Sequence, residues 1–165
     1  MNFLLRLKSW QLFLLLIVPY FLTSIPYFGN LFYITGIVMY VGWPYAIGTR
    51  MHALMPDKLK PGITLFKYCC IILIVIIITL NTWQVYFGGT TFLSRYQVSD
   101  FVILPILLFL IFYIWMFAPR MLESVIEGRM VYRSDSLRAF FGFWFFPIGV
   151  WYIQPIVHRV LDKYR

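Results

Sequence analysis

The chain has 165 residues, of which 62% are hydrophobic and only 12% charged, and its formal net charge at pH 7 is +8. An average soluble domain is about 25% charged, so this composition excludes an ordinary water-soluble domain and favours a chain embedded in lipid. In a membrane protein the basic balance indicates the usual excess of Lys and Arg in cytoplasmic loops, and no nucleic-acid partner is expected.

The N-terminal part predicts a first transmembrane helix over residues 10–28. It follows the basic residues Arg6 and Lys8, which is typical of a signal peptide, but no small-x-small cleavage site follows and the segment is expected to stay. Pro19 and Pro26 are expected to kink or end this helix. A tight turn at Gly29 and Asn30 then leads into the next element.

A second transmembrane helix is predicted over residues 31–48, with an interruption near its end at Gly42, Trp43 and Pro44. Together with the first helix it would form a helical hairpin. A basic loop follows, in which Pro56 and Pro61 break any continuous helix.

The third predicted span, residues 68–87, carries the strongest signal. Between Cys69 and Phe87 there is no Asp, Glu, Lys, Arg or His, and about nineteen helical residues cover most of a ~30 Å hydrocarbon core. Its eleven Ile, Leu, Val and Phe residues each favour insertion by roughly 0.3 to 0.6 kcal/mol. A buried strand is excluded, because strands usually end within about ten residues.

A fourth span is predicted over residues 101–119. Glu123 and Glu127 are four residues apart, a spacing that indicates a helix continuing out of this span. Pairing with neighbouring cations is favoured for these two glutamates over a catalytic role.

The last apolar run, residues 137–153, is about as short as a span can be, and Gly142, Pro147 and Gly149 divide it. We therefore expect a re-entrant or in-plane aromatic segment that does not cross the membrane. After it, residues 155–164 are expected to form an amphipathic helix that begins at Pro155 and lies on the membrane surface. The predicted fold class is thus all-α: a polytopic membrane helix bundle with four transmembrane helices, the aromatic segment and the amphipathic tail, in one integral membrane domain.

Counting cations predicts the orientation. With four alternating spans, ten cations fall on one side and Arg95 alone on the other, so the side with ten is cytoplasmic and contains the N-terminus. If residues 137–153 do not cross, the C-terminus with its three further cations lies there too. The ten are Arg6, Lys8, Arg50, Lys58, Lys60, Lys67, Arg120, Arg129, Arg133 and Arg138.

The aromatic run GFWFFPIGVWYIQP resembles an ending that recurs in small bacterial inner-membrane proteins. The resemblance covers about a fifth of the chain. It implies a bacterial source and an inner (plasma) membrane location, and it carries no function with it.

Candidate functional residues are uncharged, because the four predicted spans contain no Asp, Glu, Lys, Arg or His. Membrane catalysis and ion sites need such groups, so no catalytic residue, cofactor or metal site is predicted. Asn81, Thr82 and Gln84 in the third span are the polar candidates. Packing against another helix is favoured for them, and lining a small polar lumen is the alternative.

Basic residues near the membrane predict contacts with anionic lipid headgroups, each contributing roughly 1 kcal/mol. They are Arg50, Lys58, Lys60, Arg159, Lys163 and Arg165.

The sequence therefore favours a small, non-enzymatic integral membrane protein that acts through protein contacts, as an accessory, assembly, immunity or sensor-type component. Its partner would be a second copy or another membrane protein. The first alternative is an oligomeric pore or small-solute channel, and the second is an enzyme acting on an anionic lipid headgroup through the segment from Arg120 to Arg138.

Overall fold

The computed structural model describes residues 2–25, 27–86, 97–131, 137–145 and 148–164. All regular structure in these residues is helical, which confirms the predicted all-α class. A short 3-10 helix, Asp57–Leu59, lies between α3 and α4. The helices are α1 (Asn2–Arg6), α2 (Ser9–Leu22), α3 (Gly29–Leu54), α4 (Thr64–Tyr86), α5 (Gln97–Glu127), α6 (Leu137–Trp144) and α7 (Ile148–Lys163).

Three of the described helices are long and apolar enough to cross a membrane. They are α3, the Thr64–Trp83 part of α4 and the Val102–Glu127 part of α5. These helices agree with a helical membrane bundle, and many side chains that point away from its interior are apolar, such as Ile71, Val75 and Leu104.

The first predicted span is shorter than expected. Helix α2 has 14 residues and ends at Leu22, and Pro19 lies buried inside it without ending it. The turn was predicted at Gly29 and Asn30, but Gly29 already begins α3 and the chain turns just before it. The Thr23 hydroxyl donates to the Tyr20 carbonyl at 2.6 Å, and Tyr27 has a φ of 66°. A side chain on Gly29 would overlap the Thr23 carbonyl oxygen, so this position requires glycine.

The interruption predicted at Gly42, Trp43 and Pro44 is wrong. Helix α3 runs through all three residues and ends six residues beyond Gly48, at Leu54. Proline costs a helix one hydrogen bond. Here burial compensates for that cost, since Trp43 and Pro44 are both buried in the bundle.

Helix α3 lies at the centre of the bundle and packs against α1, α2, α4 and α5. It meets α4 at Gly48, where an added Cβ would lie 2.8 Å from the Cζ atom of Phe66. The Phe66 ring in turn stacks on Phe117 of α5, with 4.3 Å between ring centroids. The absence of a side chain at Gly48 therefore lets three helices meet around one buried ring.

Helix α5 continues to Glu127, which confirms the predicted extension beyond Pro119. Gly128, with a φ of 66°, follows its last residue in the left-handed conformation common at helix ends. The chain then folds back onto α5: the buried Ser124 hydroxyl accepts from the Val131 amide at 3.1 Å. Arg120 Nε donates to the Val131 carbonyl at 2.9 Å.

The C-terminal part differs from the prediction in its boundaries. Gly142 lies inside α6, and α7 begins at Ile148 and runs through Pro155, so residues 155–164 are not a separate helix. Helix α7 folds back onto α6: a side chain on Gly149 would overlap the carbonyl oxygen of Gly142. The two glycines remove the bulk that would keep the helices apart. We call α6 and α7 together the C-terminal hairpin.

Helix α7 runs antiparallel to α2. The Trp151 ring lies 5.9 Å from the Phe13 ring, and one turn later Gln154 contacts the backbone of Leu4 and Leu7. Val157 and Val160 are buried, so one face of the tail packs on protein. The end of α7 therefore lies on the same side of the bundle as the N-terminus.

We predict that Gly48→Val lowers the free energy of unfolding by about 1 to 3 kcal/mol, because the new side chain overlaps the buried Phe66 ring. Gly62→Val is the control, since an added Cβ there meets nothing within 4 Å. Unfolding in detergent, followed by near-ultraviolet circular dichroism, measures both. Equal stability of the two variants would contradict close packing at Gly48.

Candidate functional site

The most buried polar group in the described residues is the amide of Gln154 on α7. The side chain is 0% exposed and connects three parts of the chain. Its Oε1 accepts a hydrogen bond from Trp43 Nε1 of α3 at 3.2 Å. Its Nε2 lies 3.1 Å from the carbonyl oxygen of Leu4 and 2.9 Å from that of Leu7.

These carbonyls belong to α1 and the residue just after it. The last carbonyls of any helix lack partners within that helix, and a five-residue helix is too short to be stable alone. Gln154 therefore caps α1, and Leu4 and Leu5 are buried beside it. The N-terminal segment is held by a residue that is about 150 positions away in sequence.

His158, one turn after Gln154, completes this group. Its Nε2 lies 3.3 Å from Gln154 Nε2, and the ring is partly buried. A neutral imidazole nitrogen can accept a hydrogen bond from the amide, whereas a protonated imidazole cannot. We call Gln154, Trp43, His158 and the α1 carbonyls the Gln154 cluster.

Aromatic packing holds the C-terminal hairpin against α3 and α5. The Phe143 ring of α6 stacks on Trp43 with 4.9 Å between centroids and meets Trp115 edge-on at 6.2 Å. Trp144, the last residue of α6, packs on Phe112 at 5.1 Å. Such pairs stabilise by about 0.5 to 1.5 kcal/mol beyond their buried area.

The hydrogen bonds of the Gln154 cluster hold separate parts of the chain together. An amide, an indole and backbone carbonyls hold the hairpin and the N-terminus against α3, and His158 brings one titratable ring beside them. In the part of the chain that the structure describes, no group of three or more His, Cys, Asp or Glu side chains is placed to hold a metal ion.

The structure places the predicted polar candidates near the end of α4, away from the Gln154 cluster. Thr82 is exposed and Asn81 partly buried, while the side chain of Gln84 lies outside the described residues. The Asn81 Oδ1 atom is buried and accepts no hydrogen bond from any described residue. The described chain thus leaves the Oδ1 atom of Asn81 without a hydrogen-bond donor.

The predicted lipid-contacting cations lie in two places. Arg50 and Lys58 are exposed in and beside the loop that joins α3 to α4, and Arg159 and Lys163 are exposed on α7. Arg165 lies outside the described residues.

Lys60, in the same loop, is partly engaged within the chain. Its ammonium donates to the Asp57 carboxylate at 2.6 Å, and this hydrogen bond and charge lower the pKa of the Asp57 carboxyl. Lys60 therefore has less capacity than its neighbours to bind a lipid phosphate.

Gln154 was not among the residues that the sequence singled out. A signal was present, because Gln154 is the one polar side chain within a long aromatic and apolar run, the same reasoning that selected Asn81. Its partners, which lie in and just after α1 and in α3, are far away in sequence, and no local pattern indicates them.

Comparisons of the chain with protein-family models, with curated proteins and with solved structures find no match.

We predict that Gln154→Leu releases the N-terminal segment and lowers the free energy of unfolding by about 1 to 3 kcal/mol. The substitution removes the hydrogen bonds that Gln154 makes to the buried Trp43 indole and to the Leu4 and Leu7 carbonyls. Hydrogen exchange of residues 2–8 measures the release. The control is Tyr152→Leu, at an exposed position of the same helix. Unchanged exchange in Gln154→Leu would contradict the capping role.

Proposed function

We propose that the chain is a four-span integral membrane protein of the inner membrane that works by contact with another membrane protein or a second copy of itself. Three spans correspond to α3, α4 and α5, which are long and apolar enough. The fourth would be α2 with the turn after it. At 14 residues, about 21 Å, α2 is short, and local thinning of the bilayer would accommodate it at modest cost.

We propose that both termini lie in the cytoplasm. The cation count supports this, and so does the antiparallel course of α7 along α2, which brings Arg159 and Lys163 to the side of Arg6 and Lys8. A C-terminus on the opposite side would require α7 to run the other way.

The C-terminal hairpin is proposed to be re-entrant. Trp144, at the end of α6, packs on Phe112, which is the middle residue of α5. Since α7 then returns towards the N-terminal side, the hairpin would enter the membrane to about its middle and leave on the cytoplasmic side. Its exposed aromatic residues, such as Phe145 and Trp151, suit such a position.

The observation that carries the contact function is the amide of Asn81, a partly buried polar group of α4 whose Oδ1 atom has no hydrogen-bond partner among the described residues. In hydrocarbon an unsatisfied polar group is costly, and amides within spans commonly bond to another helix with about 0.6 to 2 kcal/mol. The neighbouring exposed side chains of α4, such as Trp83 and Val85, are apolar and suit a helix partner.

The pore remains the alternative for the same residue. Large side chains, among them Trp43, Trp115 and Phe143, fill the described interior of the single chain. A lumen lined by Asn81 and Gln84 would therefore have to form between several copies.

The proposed topology predicts that Lys163→Cys is protected from an impermeant maleimide in intact cells and labelled after the cells are opened. Cys69 and Cys70 are both buried, and replacing them with Ala gives a background without other thiols. Arg95→Cys, in the loop that the cation count assigns to the outside, is the positive control. Labelling of Lys163→Cys in intact cells would mean a fifth crossing.

If Asn81 mediates contact between chains, Asn81→Leu should weaken association without lowering the stability of the single chain. Association between chains should weaken by up to about 1 kcal/mol, whereas the stability of the single chain should not fall, because the Asn81 oxygen has no described partner within it. Energy transfer between labelled copies in vesicles measures association, and detergent unfolding measures stability. Thr82→Val, at the adjacent exposed position, is the control.

Two outcomes would count against this contact. A loss of single-chain stability in Asn81→Leu would give Asn81 an internal role. Intact association with lost conductance across a planar bilayer would favour the pore.

A further inference from the structure

An apolar cleft of about 410 Å³ lies between α2 and the first half of α3. Its lining includes Leu16, Ile17, Phe21, Phe32, Gly36 and Ile37. The two helices come close where Gly36 faces Pro19, since an added Cβ on Gly36 would lie 3.4 Å from the Pro19 Cβ. Larger side chains on either side hold the helices apart, and the cleft is the space between them.

The lining determines which chemistry the cleft accepts. The described residues that line it include no charged side chain and no side-chain amide. Its polar atoms include the Thr23 hydroxyl, which already donates to the Tyr20 carbonyl, and the phenol groups of Tyr20, Tyr33 and Tyr40. A ligand for this cleft must therefore be hydrocarbon over most of its length.

The dimensions of the cleft distinguish between two candidate apolar ligands, a lipid chain and a protein helix. A helix is about 10 Å across with its side chains, so a partner helix would lie over the cleft and insert only single side chains into it. A transmembrane partner helix would need several turns of contact. A flexible linear chain needs only the length available, which from Phe32 to Tyr40 is about 12 Å.

The position of the cleft matches one leaflet of a bilayer. It lies along α2 and α3 at the end near their connecting turn, which is the end away from the N-terminus. One leaflet contributes about 15 Å of hydrocarbon, half of the ~30 Å core. Tyr20 and Tyr33 lie towards the turn, where phenol hydroxyls can donate to the ester carbonyls of a lipid.

We propose that the cleft binds one acyl chain of a phospholipid from the leaflet opposite the N-terminus. This inference rests on the proposed membrane embedding of α2 and α3. The chain enters from the side, fills the space between the two helices, and holds its ester groups near Tyr20 and Tyr33. The inner end of the cleft is formed by Tyr40, whose ring packs 4.9 Å from Trp115.

The test uses the full chain in vesicles that contain phosphatidylcholine with a photoreactive diazirine in the middle of one acyl chain. Cross-linked residues are identified by mass spectrometry. We expect adducts concentrated on α2 and α3 at the cleft, above the level at exposed positions of α4 such as Val75. Gly36→Phe and Ile37→Trp, which fill the cleft, should lose most of these adducts.

Val38→Phe is the control, because it enlarges a side chain on an exposed face of α3 outside the lining, and it should keep the adducts. Adducts spread evenly over all exposed positions, or unchanged in both filling variants, would overturn the proposal and leave only general lipid contact. Protein-to-protein cross-links at the cleft would overturn it in favour of a partner chain. Resistance to alkaline carbonate extraction is measured separately, so loss of membrane embedding is distinguished from an empty cleft.

Discussion

An amide that is removed from solvent must find its hydrogen-bond partners inside the protein, and Gln154 finds them in α1 and α3. The rest of the arrangement depends on this constraint. It holds the N-terminal segment, whose short helix has little stability of its own, against the C-terminal hairpin. It also orients Trp43, on which Phe143 stacks.

Close packing around small residues also stabilises the helix bundle. In a bilayer the lipid tails are as apolar as the side chains, so helices associate through packing and hydrogen bonds more than through the hydrophobic effect. Gly48 admits the Phe66 ring between three helices, and Gly142 with Gly149 lets α6 and α7 touch. Aromatic rings such as Trp43, Trp115 and Phe143 then fill the spaces between helices.

The proposed functions use different parts of the helix bundle. The interior around Gln154 is satisfied and closed, whereas Asn81 on α4 and the cleft between α2 and α3 keep unused capacity for contact. One is a polar group that suits a helix partner, and the other is an apolar space that suits a lipid chain. Both would lie in the half of the membrane away from the N-terminus, while the exposed cations would face the other side.

Composition and periodicity alone determined that the chain is all-α, where its three longest apolar helices lie, and that the helix of residues 101–119 continues past Pro119. These features depend on local chemistry, since every backbone group in lipid must be satisfied within its own segment. Local signals were misleading at Pro44 and Pro155, because burial outweighs the single hydrogen bond that a proline removes. Pro44 is itself buried, whereas Pro155 is exposed and the helix continues through it because Gln154 and Val157 on either side are buried. Only the tertiary structure decided the partners of Gln154, the return of α7 along α2 and the cleft beside Gly36. Each of these depends on residues that are far apart in sequence, and side-chain periodicity does not encode which helices meet.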